Sequence, residues 1–320
     1  METVAAPMAS SPTPTERPLQ VVDSHVHFWN LRTHRYPWLE RPGTSFVGDA
    51  NALKHDYLPE TLLTEAGTVE VLKVVHVEAN HDPANPIEET RWLQSLADAA
   101  HDVEGSCGAL PNAIVAWADL SAPDAQATLE AHVQYSNTRG IRQILNVHSD
   151  PLYGYVERHF MRDPVWLDNF RLLAGYGLSF DLQLYPSQMP EAASLVRRYP
   201  DIQFVLNHAG MFVDRDSPAG YRAWRDGLRL LSSYPNVAVK ISGLAMFDHL
   251  WTVESLRPYV LETIDAFGTE RAMFASNFPV DRLFGTYEAL WHAYARIVAG
   301  ASEAERTALL RGNAERIYRI

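Results

Sequence analysis

Short apolar runs alternate along the chain with stretches of helical periodicity. The runs are rich in Val, Ile, Leu and Phe, and turn-forming residues bound them. Strands that alternate with helices form βαβ units, in which the strands pair in parallel. Eight strands are predicted, at 19–28, 71–80, 113–120, 140–147, 178–185, 202–210, 237–244 and 272–277.

The segments between these runs have the end signals of helices. In 161–177, Pro164 lies near the start, and Gly175 and Gly177 lie at the end. Eight strand–helix units predict an α/β protein with a closed (β/α)8 TIM barrel. The alternative, an open doubly wound sheet, usually has a Gly-rich phosphate loop after its first strand, and none follows here. The other predicted helices are 86–103, 122–136, 187–200, 218–235, 252–268, 286–300 and 302–320.

The chain ends and the longest connection are also distinctive. Residues 1–18 are rich in Ala, Ser, Thr and Pro and lack the basic and apolar regions of a signal peptide, so we expect a disordered arm. The remainder, 19–320, is predicted to be a single barrel domain. The long loop 29–60 after the first strand carries several aromatic residues, and we expect it to cover the C-terminal face of the barrel.

Composition narrows the functional classes. The net charge of −12 argues against nucleic-acid binding, which needs a basic surface. No apolar run is long enough to span a membrane. The single cysteine, Cys107, excludes an intramolecular disulfide and is predicted to be inert, so we expect a cytoplasmic protein that acts on a small molecule. A homo-oligomer remains open.

Candidate catalytic groups are the polar residues at the predicted strand ends, where barrel active sites lie. In the segment VVDSHVHFWN (21–30), alternation should place Asp23, His25 and His27 on one face. Two neighbouring imidazoles suit either a divalent metal or a polarised carbonyl group. The other candidates at or just beyond strand ends are Glu78, Arg142, His148, Gln183, His208, Lys240, Asn277 and Asp281.

A structural role is the alternative for the buried charges. Charged side chains are rarely buried unless they are paired. Lys240 therefore either faces a substrate or pairs with Asp181 inside the barrel, and the sequence leaves both open.

Four motifs in this order resemble those of the amidohydrolase superfamily, and specifically its amidohydrolase-related branch of TIM-barrel hydrolases. That branch includes sugar lactonases, a pyrone-dicarboxylate lactonase and a sulfomuconolactone hydrolase. The resemblance extends over residues 20 to about 318. The motifs are DSHVHFW after strand 1, FVLNHAG at strand 6, VAVKISGL at strand 7 and MFASNFPVD at strand 8.

The resemblance implies roles for individual residues. His25 and His27 match an HxH motif that binds metal in some members and a substrate oxygen in others. His208 matches a histidine that polarises the scissile carbonyl, and Arg142 matches an arginine that contacts the substrate. We expect Gln183, Asn277, Lys240 and His148 to contribute to substrate binding.

Two departures from the family pattern bear on a metal. Members commonly have Asp where this chain has Asn277, and an amide is neither a base nor an anionic ligand near neutral pH. Metal-binding members also have a strand-5 histidine, whereas this segment is FDLQLY. If one divalent metal binds, zinc above others, we expect His25 and His27 as ligands together with Glu78 or His208. If none binds, the histidines hold the carbonyl directly.

The primary hypothesis is a hydrolase that opens a lactone or related cyclic ester of a small polar or acidic metabolite. Water would attack a carbonyl held by the histidines, with Asp281 or Glu78 taking the proton. A metal-dependent non-oxidative decarboxylase of an aromatic acid is the second hypothesis. A non-catalytic barrel that binds a small molecule is the third.

Overall fold

The computed structural model describes residues 18–40, 44–101 and 109–320. Within them, eight parallel strands form one sheet, and each strand pairs with the barrel strand that precedes or follows it in the chain. The number and order of the predicted strands are confirmed, although most strands are shorter than their apolar runs. The strands are β1 Leu19–Val26, β2 Val69–Val77, β3 Ala113–Trp117, β4 Thr138–Arg142, β5 Ser179–Leu182, β6 Phe204–Leu206, β7 Val237–Ile241 and β8 Ala272–Phe274.

The sheet closes into a barrel between its first and last strands. Val26 forms a parallel bridge with Phe278. The His27 amide donates to the Phe278 carbonyl at 2.8 Å, and the Asn277 amide donates to the His25 carbonyl at 2.9 Å. The predicted TIM barrel is therefore confirmed, and its closure brings Asn277 beside the two histidines.

Helices surround the barrel. The predicted helix 161–177 is two helices, Pro164–Phe170 and Leu172–Gly175. The predicted helix 302–320 is also two, Glu303–Thr307 and Asn313–Tyr318, joined by a π-helical turn. The sequence pattern missed α2, a short helix with Pro59 in its first turn. The helices are α1 Pro37–Glu40, α2 Pro59–Glu65, α3 Pro86–His101, α4 Ala125–His132, α5 Pro164–Phe170, α6 Leu172–Gly175, α7 Met189–Arg198, α8 Pro218–Ser232, α9 Val253–Phe267, α10 Tyr287–Ile297, α11 Glu303–Thr307 and α12 Asn313–Tyr318.

Apolar side chains fill the lower barrel. Val22, Val75, Val205 and Met273 pack together with Tyr318 of α12. Because this packing plugs the barrel interior with side chains, as is usual for the fold, functional groups are left to the opposite, C-terminal end.

An irregularity in β1 overturns one expectation about VVDSHVHFWN. The pairing of β1 with β2 shifts register between Asp23 and Val26, so simple alternation does not hold there. The Asp23 carboxylate accepts hydrogen bonds from the Ser276 amide at 3.0 Å and from the Tyr287 hydroxyl of α10 at 3.0 Å. Both oxygens of Asp23 are therefore engaged as structural acceptors.

The loop after β1 is ordered where it is described. Trp29 pairs with Tyr57 through a backbone bridge, and both side chains are buried. Between them lie α1 and a short antiparallel ribbon, Thr44–Ser45 with Gly48–Asp49. The predictions for the arm at 1–17 and for Cys107 lie outside the described residues. In the described part of the chain, no helix is long and apolar enough to cross a bilayer.

Candidate active site

A cavity of about 740 Å³ opens at the C-terminal end of the barrel. The predicted site residues divide into two groups around it. Those on its wall are His27, Arg142, Gln183, His208 and Asn277. Those that do not line it are His25, Glu78, His148, Lys240 and Asp281.

Three histidines converge at the floor of the cavity. The ring centroid of His25 lies 4.9 Å from that of His27 and 4.5 Å from that of His208. The His27 Nδ1 lies 2.7 Å from the Val77 carbonyl oxygen. Since a carbonyl only accepts hydrogen bonds, Nδ1 carries the proton and the neutral His27 keeps its lone pair on Nε2.

His25 lies beneath the cavity wall and is completely buried. Neither of its ring nitrogens has a hydrogen-bond partner among the described residues. Buried polar atoms without partners are uncommon because their desolvation is not compensated. His81, on the cavity wall, shares this feature, since both of its ring nitrogens also lack a partner among the described residues.

A close backbone approach positions His208. Its Nδ1 lies 3.0 Å from the Ser242 hydroxyl oxygen. The adjacent Gly243 has φ +62°, and a Cβ atom there would lie 2.5 Å from the same Nδ1. Only glycine permits both this backbone conformation and this contact. Gly243, in the motif VAVKISGL, therefore leaves room for the His208 ring in this position.

All three imidazoles are neutral near pH 7. Burial lowers the pKa of His25, His27 and His208 well below the ordinary value for histidine. The nearby positive charge of Arg142 lowers these pKa values further, as does that of Lys240 for His25 and His208. Neutral imidazoles can accept protons or coordinate a cation.

Glu78 and Arg142 form a buried ion pair. Arg142 Nε donates to Glu78 Oε1 at 2.6 Å, and the Asn80 amide donates to Oε2 at 2.7 Å. Arg142 Nη1 also donates to Gln183 Oε1 at 2.9 Å. Burial raises the pKa of Glu78 to about 7, while Arg142 opposes that shift. Both carboxylate oxygens are engaged, which leaves Glu78 poorly placed as a base or a metal ligand.

Asn277 separates Asp281 from the cavity. Asn277 Nδ2 donates to Asp281 Oδ1 at 2.7 Å, and Asp281 Oδ2 has no hydrogen-bond partner among the described residues. Burial raises the pKa of Asp281 to about 8. Asp281 is therefore mostly protonated at neutral pH. It also does not line the cavity.

Lys240 and His148 are held by other contacts. Lys240 Nζ donates to Asp181 Oδ2 at 2.6 Å, and the Tyr318 hydroxyl donates to Oδ1 at 2.8 Å. This pair is the internal arrangement that the sequence left open for Lys240. His148 packs edge-to-face against Tyr185 and accepts a hydrogen bond from a nearby backbone amide.

The donor set does not fit a tightly held metal. No group of three or more His, Cys, Asp or Glu side chains in the described ranges is arranged to hold a metal ion. Glu78, the predicted third ligand, is committed to Arg142, and Asn277 occupies the strand-end position of the family aspartate. Structural and catalytic zinc sites use three or four good protein ligands, which this donor set does not supply.

Sequence reasoning missed part of the wall. His81 lines the cavity beside Asn80, which the polar residues of strand 2 already indicated, and Trp117 lines it at the end of β3. The position of His81 three residues after Glu78 could have indicated it. From the aromatic loop, Trp38 and Phe46 line the cavity, whereas Trp29 and Tyr57 do not.

Comparisons with known proteins match almost the whole chain. The family model described as "Amidohydrolase" matches residues 22–320. A protein named y4mH from Sinorhizobium fredii is 46% identical over 304 residues, which cover 94% of this chain and 99% of that protein. An L-fucono-1,5-lactonase from Burkholderia multivorans is 30% identical over 314 residues, covering 93% of this chain and 96% of that enzyme.

A solved structure agrees with these matches. It is an amidohydrolase from Burkholderia multivorans with bound zinc, 28% identical, with a TM-score of 0.77 over 94% of this chain and 99% of that one. The family match, the lactonase relative and this fold agree with the geometry of the barrel mouth. The chain belongs to the amidohydrolase family, and it is a hydrolase.

Proposed function

We propose that the protein opens a lactone by attack of water, with His27 as the general base. The observation that carries this proposal is the fixed tautomer of His27, whose Nδ1–H donates to Val77 O at 2.7 Å. The lone pair on Nε2 is therefore held ready in a residue that lines the cavity. A neutral imidazole positioned in this way accepts a proton from water.

Arg142 and His208 can stabilise the developing negative charge. A guanidinium has five N–H donors, and three bonds to Glu78 and Gln183 leave others for a substrate. His208 adds a second polar group on the wall. Donors aimed at the carbonyl oxygen strengthen as it becomes an oxyanion, which lowers the barrier.

The proton balance is closed within the site. Water attacks the carbonyl carbon while His27 Nε2 takes a proton from it. The ring C–O bond then breaks, and the imidazolium returns the proton to the departing alkoxide oxygen, which gives a hydroxy acid. Because burial lowers the pKa of His27, its imidazolium is the stronger acid and gives the proton to the departing alkoxide.

The sequence predicted Glu78 or Asp281 as the general base, whereas we propose His27. Both oxygens of Glu78 are engaged, and burial raises the pKa of Asp281 to about 8 beneath Asn277. The lactonase name of the 30% identical relative supports the reaction class. The decarboxylase hypothesis would need a metal that the donor set does not fit.

The test measures acid release from a panel of lactones by His27→Gln and by a control, His159→Gln, at an exposed position. We expect His27→Gln to lose about 10²–10⁴-fold in kcat and the control to keep its rate. If Asp281→Asn or Glu78→Gln loses kcat to this extent while His27→Gln stays active, the general base is a carboxylate and not His27. Tight binding without turnover would favour a non-catalytic barrel.

A further inference from the structure

We infer that the lactone carries an extended apolar substituent on its ring. This inference rests on the proposed function, because it names the substrate class of the same cavity. It comes from the apolar side chains that line the outer part of the cavity.

Several hydrogen-bonding groups of the floor are already committed. Gln183 Oε1 accepts from Arg142 at 2.9 Å, and Asn277 Nδ2 donates to Asp281 at 2.7 Å. His27 Nδ1 is likewise bound to a backbone carbonyl. Asn80 and His81 add further polar groups to the wall, so the apolar side chains, rather than a lack of polar groups, indicate the substituent.

The outer wall is apolar where a substituent would project. It is formed by side chains of the loop after β1 and of the loops after β4, β7 and β8. Even the indole N–H of Trp38 is occupied, since it donates to the Ala79 carbonyl at 2.8 Å. The wall residues concerned are Trp38, Phe46, Leu53, Leu152, Met246 and Leu283.

Exposed apolar side chains mark the rim of this wall. Leu152 is 48% exposed and Tyr155 is 39% exposed, and both line the cavity. Large apolar side chains gain about 1.5–3 kcal/mol when they are fully buried. An apolar substituent that passes between them would bury their surface together with its own.

The size and charge of the cavity agree with this substituent. A volume of about 740 Å³ lies within the range of about 300–1,000 Å³ typical of pockets for drug-sized ligands, which exceeds the needs of a bare lactone ring. Arg142 is the one Lys or Arg on the described cavity wall, and Glu78 neutralises it at 2.6 Å. An anionic substituent would find no unpaired arginine or lysine there.

The experiment compares kcat/KM for δ-valerolactone, δ-decalactone (which adds a pentyl chain) and gluconolactone. Each buried methylene adds about 0.8 kcal/mol, or about fourfold, so we expect full burial of the five-carbon chain to favour δ-decalactone over δ-valerolactone by about a thousandfold. Leu152→Ser should reduce this ratio, whereas Leu250→Ser should not, because Leu250 is 90% exposed and does not line the cavity. Gluconolactone turnover at or above that of δ-decalactone would overturn the inference.

Calorimetric binding of the matching lactams, which are not hydrolysed, separates the two proposals. If no lactone is turned over but the pentyl lactam binds more tightly than the unsubstituted lactam, the proposed reaction is wrong and the apolar specificity stands. If lactones are turned over with no effect of the chain on kcat/KM or on lactam affinity, the reaction stands and the specificity is wrong.

Discussion

Asn277 Nδ2 donates a 2.7 Å hydrogen bond to Asp281 Oδ1 at the C-terminal end of β8. The Asn277 amide lines the cavity, whereas Asp281, the nearest carboxyl group in the sequence, does not. Burial raises the pKa of Asp281 to about 8, so the pair consists of an amide and a neutral acid near pH 7. This arrangement removes negative charge from the floor of the site.

Asn277→Asp should increase zinc affinity. The substitution would give the three histidines an anionic neighbour, while Asp281 remains protonated and avoids like-charge repulsion. We expect zinc to bind more tightly by on the order of tenfold or more, equivalent to about 1.4 kcal/mol, as measured by competition with a chelator. Asn80→Asp is the matched control, because Asn80 also lines the cavity with a positive φ. An equal gain in both variants would contradict the expectation.

Asp281→Asn should change how stability depends on pH. A folded pKa of about 8, raised from 3.8, means that the folded state holds this proton more tightly than the unfolded state. The stabilisation is full below pH 3.8 and is lost as pH rises through 8, by about 1.4 kcal/mol for each pH unit at most. The variant should therefore gain stability relative to the native protein between pH 5 and pH 8.

Urea unfolding at several pH values measures this difference. Asp168→Asn, at a residue whose side chain is 70% exposed, serves as the control and should show little change. A constant difference between Asp281→Asn and the native protein from pH 5 to pH 8 would show that the carboxyl group is already ionised in the folded state.

Gly243→Ala should displace the His208 ring. A Cβ at position 243 would lie 2.5 Å from His208 Nδ1, whereas a Cβ at Gly268 would meet nothing within 4 Å. Both glycines have positive φ, +62° and +73°, so both alanine variants carry a backbone penalty of about 1–3 kcal/mol. We expect only Gly243→Ala to lose about 10²-fold in kcat/KM, since a small misplacement of a catalytic group costs about that much. Equal kcat/KM values in the two variants would show that the position of the His208 ring does not matter for the reaction.

Lys240→Met should destabilise the fold without changing substrate affinity. Removing the lysine leaves the Asp181 carboxylate buried and unpaired, which typically costs about 3–5 kcal/mol. Lys73→Met is the control, because its ion pair with Glu315 is about one-third exposed on each side and should contribute about 0–1 kcal/mol. Adding Asp181→Asn should recover part of the loss.

Urea unfolding and KM, measured where the variant remains folded, distinguish the two roles of Lys240. A raised KM with little loss of stability would place Lys240 in contact with the substrate, as the sequence first allowed.

The sequence by itself determined the barrel. Eight apolar runs separated by helical segments fix the strands and their parallel order, because chain connectivity and burial of one face are local properties of the pattern. The same order places His27, Arg142, Gln183, His208 and Asn277 at one end of the sheet. A cytoplasmic location and a homo-oligomer remain predictions.

Only the tertiary structure decided which polar groups are free and which are paired. Glu78 meets Arg142 and Lys240 meets Asp181 across 64 and 59 positions of sequence, and Ser276 and Tyr287 occupy the Asp23 carboxylate from the far end of the chain. Side-chain partners at such separations depend on strand register and on the approach of neighbouring strands, which no local pattern encodes. The sequence could therefore name the residues of the barrel mouth, whereas the fold determined which of them reach the cavity.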